Sequence, residues 1–256
     1  MKASGFRWNA DGFSLIELLT AMTIFLVICA IAFGLLTTAM KRYQTDSQVL
    51  TTFQEARFGL DQIVRDIDDS GYPPQNQFQV LPTNPYEYAV TPVAWAPSYP
   101  GTPCQIGVNC STPGDFDVIL ETKVNPASSD PHLQWIRYQL QGKVLYRAIM
   151  NKDSSNDPDG TTSTGFVPYV QNVINDSTAD IPGGVPVPIF QYFCDTSSGP
   201  KLCTDPAVKN TPDNSPEKVR SVSITLIVKA PFPDAQTGQP RLVELRGRGR
   251  RINPSD

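Results

Sequence analysis

The sequence predicts an α+β fold in which one long N-terminal helix packs against an antiparallel β-sheet. Of 256 residues 24 are prolines, and every proline lies at or beyond Pro73, so the chain before it is free to form a helix. That proline-free part contains an uncharged apolar run followed by an apolar stripe of helical period. The remainder contains short runs in which apolar and polar residues alternate, as in half-buried strands.

The first element is a helix long and apolar enough to cross a membrane. After Glu17 no charged residue occurs before Lys41, which leaves 23 uncharged residues. As a helix they measure about 35 Å, and the hydrocarbon core of a bilayer is about 30 Å thick. Lys2 and Arg7 precede the run, which favours a cytoplasmic N-terminus and export of the C-terminal part. A secretory signal cut near Ala39 is the alternative, although the apolar core of such a signal has only about 7–15 residues.

The second half of the helix is amphipathic and ends before Gly71 and Pro73. Its apolar residues recur at steps of three and four and so share one helix face: Val49, Phe53, Ala56, Leu60, Ile63 and Ile67. This face predicts packing of the helix on a folded head. A simple membrane anchor followed by a separate helix is the alternative.

The head begins with a segment rich in proline and tyrosine, residues 72–114, which we expect to be an ordered insertion. Gln141 and Gly142 are expected to form a hairpin turn. Pro188 indicates an edge strand, because proline cannot donate to a ladder. Alternation predicts strands over residues 115–122, 134–140, 143–149, 187–193, 219–228 and 242–252. We expect them to form an antiparallel sheet over the second half of the helix.

A single carboxylate stands near the start of the apolar run. An acid in a membrane helix costs about 2.5–3.5 kcal/mol at the bilayer centre and less near the interface. Glu17 has no basic residue close to it in the sequence. One interpretation is an acid that lies at the interface. The other is cleavage after Gly12, which would give Phe13 a free ammonium that can pair with Glu17 of a neighbouring subunit.

These residues resemble the N-terminal signal of type IV pilins and type II secretion pseudopilins. Gly12, Phe13 and Glu17 match the last leader residue, the first mature residue and the glutamate of the mature helix, and the unbroken apolar run follows. The resemblance implies that a prepilin peptidase cuts after Gly12 and methylates Phe13, and that Glu17 serves assembly. It divides the chain into a leader (1–12), a membrane and assembly segment (13–40), an amphipathic helix half (41–70) and an exported head (71–256).

The chain is most similar to PilW-type minor pilins, in its length and in Arg65-Asp66-Ile67 leading into Gly71-Tyr72. Many major pilins carry a proline in the membrane half of the helix, where this sequence has Gly34. The resemblance implies a minor pilin that initiates or assembles a type IV pilus together with other pilins and minor pilins. It also implies an inner-membrane location with a cytoplasmic leader and a periplasmic head, and then a place in the pilus. The alternatives are a J-type minor pseudopilin of a type II secretion system and, in another class, a membrane-anchored periplasmic enzyme.

The five cysteines fall into two groups, one residue in the apolar run and four in the head. Cys29 lies in the apolar run and is expected to be a small buried hydrophobic residue. The other four lie in the part expected to be exported, where oxidising conditions permit disulfides. Four cysteines allow three pairings, of which we expect the sequence-local ones, Cys104–Cys110 and Cys194–Cys203. A zinc site is the alternative, although CxxC spacing is absent.

One polar loop resembles part of a calcium site, because hard cations bind several oxygens around a tight turn. Asp153, Ser155, Asp157 and Asp159 offer oxygen ligands at alternate positions. Phe166 stands where such a loop, counted from Ser155, has its bidentate glutamate. The pattern favours a solvated turn, with calcium as the alternative and the only cofactor considered.

The sequence gives no sign of catalysis. His132 is the single histidine, which argues against a histidine-based dyad, and we expect it at the surface of a turn. The sequence contains neither a Gly-rich phosphate loop nor a nucleophile elbow. We therefore expect a protein that is not an enzyme.

One cluster of basic residues stands out in the sequence, and it lies near the C-terminus. A net charge of −4 excludes a global basic field of the kind that holds nucleic acid. Arg246, Arg248, Arg250 and Arg251 are close together, and three of them share one face if the segment is a strand. The cluster favours an edge strand protected by charge, with contact to DNA phosphates or an acidic partner as the alternative.

Overall fold

A computed structural model describes residues 14–234 and 237–251 of the chain. Its dominant element is helix α1, Leu15–Asp68, whose 54 residues measure about 81 Å. The helix starts at Ser14, which caps it, and stops at Asp69. Gly71 follows with a φ of 84°, a conformation that glycine adopts without a steric cost. Within the described residues, the proline-free part of the sequence thus contains one continuous helix, Leu15–Asp68.

The head contains two antiparallel sheets. Sheet I has the strand order β1-β2-β3-β4-β5, with β1 Val93–Ala94, β2 Asp117–Thr122, β3 Gln134–Gln141, β4 Val144–Asn151 and β5 Val167–Gln171. Sheet II has the order β7-β6-β8-β9, with β6 Phe190–Cys194, β7 Lys201–Leu202, β8 Val219–Pro233 and β9 Pro240–Arg250. The short helix α2, Pro158–Thr161, and three single 3₁₀ turns lie in the connections: Gln75–Gln77, Pro85–Glu87 and Pro216–Lys218.

One hydrophobic core joins α1 to both sheets. The second half of the helix contacts β2 and β5 of sheet I and β8 and β9 of sheet II. The predicted helix face is confirmed, because four of its six residues are buried in this core and a fifth packs against it: Ala56, Leu60, Ile63 and Ile67, with Phe53. A smaller core on the far face of sheet I contains Trp95, Tyr99 and Trp135 and orders the predicted insertion.

The predicted α+β class is confirmed, and the strands form two sheets where the sequence led us to expect one. The predicted hairpin joins β3 to β4 around Gly142. The expectation of an edge strand over residues 187–193 is wrong. The strand starts at Phe190, after Pro188, and β6 lies between β7 and β8. Strands β1 and β7 have two residues each and show no sequence period, and β5 contains Pro168, so none of the three was predicted.

Candidate assembly site

Ser14 and Glu17 cap the N-terminus of α1. The Ser14 hydroxyl oxygen accepts a hydrogen bond from the Glu17 N–H at 3.3 Å. In return, Oε2 of Glu17 accepts from the Ser14 N–H at 2.9 Å and from the Ser14 hydroxyl at 3.0 Å. This capping box satisfies two donors that a helix otherwise leaves open. No described residue donates to Oε1, so that oxygen is available to a further partner.

The predicted cleavage junction precedes this capping box directly. Gly12 and Phe13 lie outside the described residues. Glu17 itself lies on the first turn of the helix and is exposed.

The first half of α1 is apolar on every side, and none of the other described residues covers it. Its large apolar side chains between Leu15 and Met40 are 49% to 79% exposed. Within the described part of the chain, α1 is the one helix whose length and composition would let it cross a membrane. A helix that is hydrophobic all round is normally buried in lipid or among other helices. This half therefore offers its whole surface to a membrane or to neighbouring helices.

The polar side chains within this half are satisfied by their own helix. Thr23 donates to the carbonyl oxygens of Leu19 and Thr20, and Thr37 donates to those of Phe33 and Gly34. Such bonds remove the hydroxyl donor from the surface of the helix. Glu17 is the single formally charged residue between Leu15 and Met40. It is therefore the polar group of this half that remains open to a partner outside the helix.

The second half of α1 approaches the head closely because glycines face it. A Cβ on Gly249 would lie 2.6 Å from Cγ2 of Ile67, and one on Gly247 would lie 2.9 Å from Cδ1 of Leu60. On the helix side, a Cβ on Gly59 would lie 2.3 Å from Val170 of β5. These distances leave no room for another side chain, so the helix fits between the two sheets in one position.

A buried ionic cluster fixes the helix against sheet I. Oδ2 of Asp66 accepts hydrogen bonds from the Tyr138 hydroxyl at 2.6 Å and from Nη2 of Arg147 at 2.7 Å. Its Oδ1 accepts from Gln62 at 2.7 Å. Burial, reinforced by the Asp66 charge, raises the pKa of Tyr138 far above its usual range, so the hydroxyl remains a donor. This cluster was not predicted, although Asp66 follows Ile63 by three residues and so falls on the buried face.

The end of the helix is tied to both sheets. The Thr122 hydroxyl of β2 donates to the Asp69 carbonyl at 2.7 Å. The Arg250 backbone N–H of β9 donates to Asp68 at 2.6 Å. The head therefore holds the last turns of α1 rigidly, while the first half extends free of it.

The cysteines of the head form two short bridges. The structure joins Cys104 to Cys110 and Cys194 to Cys203, the sequence-local pairs that we expected. Each bridge closes a loop next to a core, because Cys104 lies in the smaller core and Cys194 and Cys203 in the larger one. Cys29 is a free cysteine in the apolar half of the helix.

The four candidate calcium ligands do not converge. Asp153 accepts from the backbone and side chain of Ser155, and Asp157 caps α2. Asp159 forms an ion pair with Arg137 of β3, whose Nη2 lies 2.7 Å from Oδ1 of Asp159. Over residues 14–234 and 237–251 no group of three acidic, histidine or cysteine side chains is arranged to hold a metal ion.

Sequence reasoning also missed a buried ion pair in sheet I. Nζ of Lys152 lies 2.6 Å from Glu121, and both side chains are fully buried. Glu121 also accepts hydrogen bonds from Val90, Tyr99 and Trp135. A carboxylate with this many donors has its charge compensated within the protein. We read the pair as structural, because the surrounding donors use both of its oxygens.

The remaining predicted residues lie apart from the helix start. The ring of His132 stacks on Tyr86 at 4.2 Å and contacts Asp130 in a half-buried turn. Arg246, Arg248 and Arg250 are exposed on β9, which is the edge strand that was predicted.

Comparison with known proteins identifies the N-terminal segment. The prokaryotic N-terminal methylation motif matches residues 9–33, which include the predicted cleavage junction and the first part of α1. No curated protein shows significant similarity to the chain. Among solved structures the chain is similar to a type IV-like pilin from Thermus thermophilus, with 12% identity over 79% of this chain and 97% of that chain and a TM-score of 0.37. The chain therefore begins its long helix with an N-terminal methylation motif.

Proposed function

We propose that the protein is a minor pilin of a type IV pilus, cut after Gly12 by a prepilin peptidase, N-methylated at Phe13 and incorporated through α1. The observation that supports this most strongly is the position of the methylation motif. It lies at the start of a 54-residue helix whose first half is apolar and free, and whose second half is fixed in a folded head.

The two halves of α1 suit two different surroundings. Before assembly, the apolar half spans the inner membrane once, with the leader in the cytoplasm and the head in the periplasm. After assembly, the same surface packs against the helices of other pilins and minor pilins. Because Asp66 and the glycines of β9 fix the helix in the head, the direction of α1 sets how the head is presented in the filament.

Glu17 is the polar contact of this assembly. Its Oε2 is used within the chain by Ser14, and its Oε1 has no described donor. The ammonium of a neighbouring subunit's Phe13 supplies the missing donor and charge. Such a pair is strongly favoured in an apolar environment when both partners are present, and the loss of one partner leaves an uncompensated charge.

The nearest rival is a J-type minor pseudopilin of a type II secretion system, which undergoes the same processing. We favour the pilus because of the length of the chain and the Arg65-Asp66-Ile67 segment before Gly71. Recovery of the protein in sheared pili supports the pilus. A secretion defect with intact pili in a strain that lacks the protein would favour the rival.

The decisive experiment is mass spectrometry of the mature N-terminus. We expect N-methylated Phe13 in cells that contain the prepilin peptidase and intact Met1 in cells that lack it. Replacing Gly12 with tryptophan should block cleavage, because the peptidase requires a small residue there. Gly5→Trp, the same change inside the leader, is the matched control and should be cleaved. An uncut chain in peptidase-positive cells contradicts the proposal.

A further inference from the structure

The hairpin of β8 and β9 runs along α1 toward the apolar half of the helix. At one end of β9, the Arg250 backbone N–H donates to Asp68 at 2.6 Å. Near the other end, Nη1 of Arg241 lies 3.5 Å from Oδ1 of Asp46. Between these two contacts the strand covers about 31 Å and the helix about 33 Å. The strand therefore follows the helix axis, and the turn of the hairpin points toward the end of the apolar run.

The end of the hairpin lies at the level of the membrane surface when the apolar run spans the bilayer. Met40, the last residue of the run, is about 9 Å further along α1 than Asp46. Pro240 pairs with Pro233 one residue beyond Arg241 and is thus about 3.4 Å closer to Met40. The last pair of the hairpin is therefore about 6 Å from the level of Met40. The headgroup layer on each side of the hydrocarbon core is about 5–8 Å thick, so this pair falls within it.

Aromatic side chains are exposed at this level. Phe232 of β8, next to the end of the hairpin, is 56% exposed, and the prolines on both sides of it are exposed as well. On α1, Tyr43 is exposed and lies on the same side of the helix as Asp46, because residues three apart are neighbours. Aromatic rings favour the boundary between headgroups and acyl chains. The hairpin end and the helix thus offer two such rings at the membrane surface.

The polar groups at the end of the hairpin are paired within the chain. Between Lys229 and Arg241 the sequence contains one charged residue, Asp234. Asp234 is buried, and its Oδ2 lies 2.6 Å from Nη2 of Arg241. Its N–H donates to the Gln239 carbonyl at 2.9 Å, and the Gly238 N–H donates to the Asp234 carbonyl at 2.8 Å. The flanking prolines have no N–H to leave open. The hairpin end can therefore leave water without losing many hydrogen bonds, which an apolar layer requires.

Two cations hold α1 at a fixed height beside the hairpin. Lys41 and Arg42 follow Met40 directly, and both are exposed. Lysine and arginine at the end of a membrane helix extend their charges into the headgroup layer and anchor the helix there. The helix and the hairpin end therefore meet the same layer of the membrane.

We propose that the end of the β8–β9 hairpin, with Phe232 as its apolar anchor, docks into the headgroup layer of the membrane that holds α1. This inference rests on the membrane-spanning role of α1 proposed above and adds a second membrane contact before assembly. Because α1 tethers the head, docking is intramolecular. The hairpin is already ordered, so little conformational entropy is lost. The two contacts together fix the tilt of the head on the membrane.

The docked state is favoured only weakly, as a subunit that must leave the membrane requires. Burial of the exposed half of a phenylalanine side chain favours the docked state about tenfold. About nine-tenths of the unassembled molecules are then docked, and contacts with other pilins can displace the lipid.

The test places one tryptophan at three levels of the full-length protein. Phe33→Trp lies inside the apolar half, Phe232→Trp at the end of the hairpin, and Phe58→Trp at an exposed site of α1 about 27 Å beyond Met40. Each variant is reconstituted in phospholipid vesicles with and without lipids that carry bromine on the acyl chain near the headgroup, which quenches tryptophan on contact. The emission of the parent protein is subtracted.

We expect the bromolipids to remove most of the added emission of Phe33→Trp and Phe232→Trp and to leave that of Phe58→Trp unchanged. In vesicles without bromine, the emission of Phe232→Trp should lie at a shorter wavelength than that of Phe58→Trp. The three variants should have the same unfolding midpoint in detergent, because each changes an exposed side chain to one of the same kind.

Quenching of Phe33→Trp without quenching of Phe232→Trp overturns the docking of the hairpin and leaves the membrane-spanning role of α1 intact. Equal quenching of Phe58→Trp and Phe232→Trp also overturns it, because the whole head would then lie on the membrane. An unquenched Phe33→Trp overturns both this inference and the proposed function, since α1 would not be in the bilayer.

Discussion

Removal of the Asp66 carboxylate should destabilise the head more than removal of any exposed acid on α1. In Asp66→Ala the Tyr138 hydroxyl and the Arg147 guanidinium lose their acceptor, which lies 2.6 and 2.7 Å from them. Breaking a buried ion pair by removing one partner costs about 3–5 kcal/mol. The Arg147 side chain is 18% exposed and partly reached by water, so we expect the lower end, about 3 kcal/mol.

This loss should appear as a lower melting temperature of the head. For a domain of this size 1 kcal/mol corresponds to about 2–4 °C, so the expected shift is about 6–12 °C. The assay is thermal unfolding of the full chain in detergent, followed by tryptophan fluorescence, because Trp95 and Trp135 are buried in the head. Asp61→Ala is the matched control. Its side chain is 52% exposed and lies 4.0 Å from Arg57, so the cost should be below about 1 kcal/mol.

A double replacement separates the electrostatic contribution of the Asp66–Arg147 pair to stability from the contribution of its packing. Asp66→Leu with Arg147→Met removes both charges and leaves apolar groups of similar size. Replacing both partners of a buried pair is often neutral or stabilising, so the double variant should melt at a higher temperature than Asp66→Ala. It should stay below the parent, because the buried Tyr138 hydroxyl has lost its acceptor in both variants. The reasoning is refuted if Asp66→Ala and Asp61→Ala lower the melting temperature equally.

Two further predictions concern the packing and the start of α1. Gly249→Ala should cost about 1–3 kcal/mol and Gly247→Ala less, because the added methyl meets the stiff, β-branched Ile67 in the first case and the movable end of Leu60 in the second; equal unfolding midpoints for the two variants would contradict this. Glu17→Ala should leave the head folded and the chain inserted, since insertion becomes easier when a charge is lost, but should reduce recovery in sheared pili. Equal recovery at equal membrane abundance would show that Glu17 is only an interfacial acid.

Part of the candidate site could be predicted from the sequence because it is local. Glu17 was singled out because it is the one acid at the start of an apolar run. Its capping box with Ser14 was not predicted, although the two residues are only three positions apart. The cysteine bridges span 6 and 9 residues. The calcium candidate shows the limit of such reasoning. Asp159 has the right local spacing, but Arg137 from a distant strand binds it in the folded chain.

The sequence by itself determined the long helix, its apolar and amphipathic halves, and most of the strands. These features depend on proline content and on periods of 3.6 and 2, which neighbouring residues specify without distant partners. Only the tertiary structure decided that the strands divide into two sheets and that β6 lies inside one of them. It also decided that Asp66 meets Tyr138 and Arg147, which are 72 and 81 residues away. A buried charge must find its partner wherever the fold brings one close, and no local period encodes that partner.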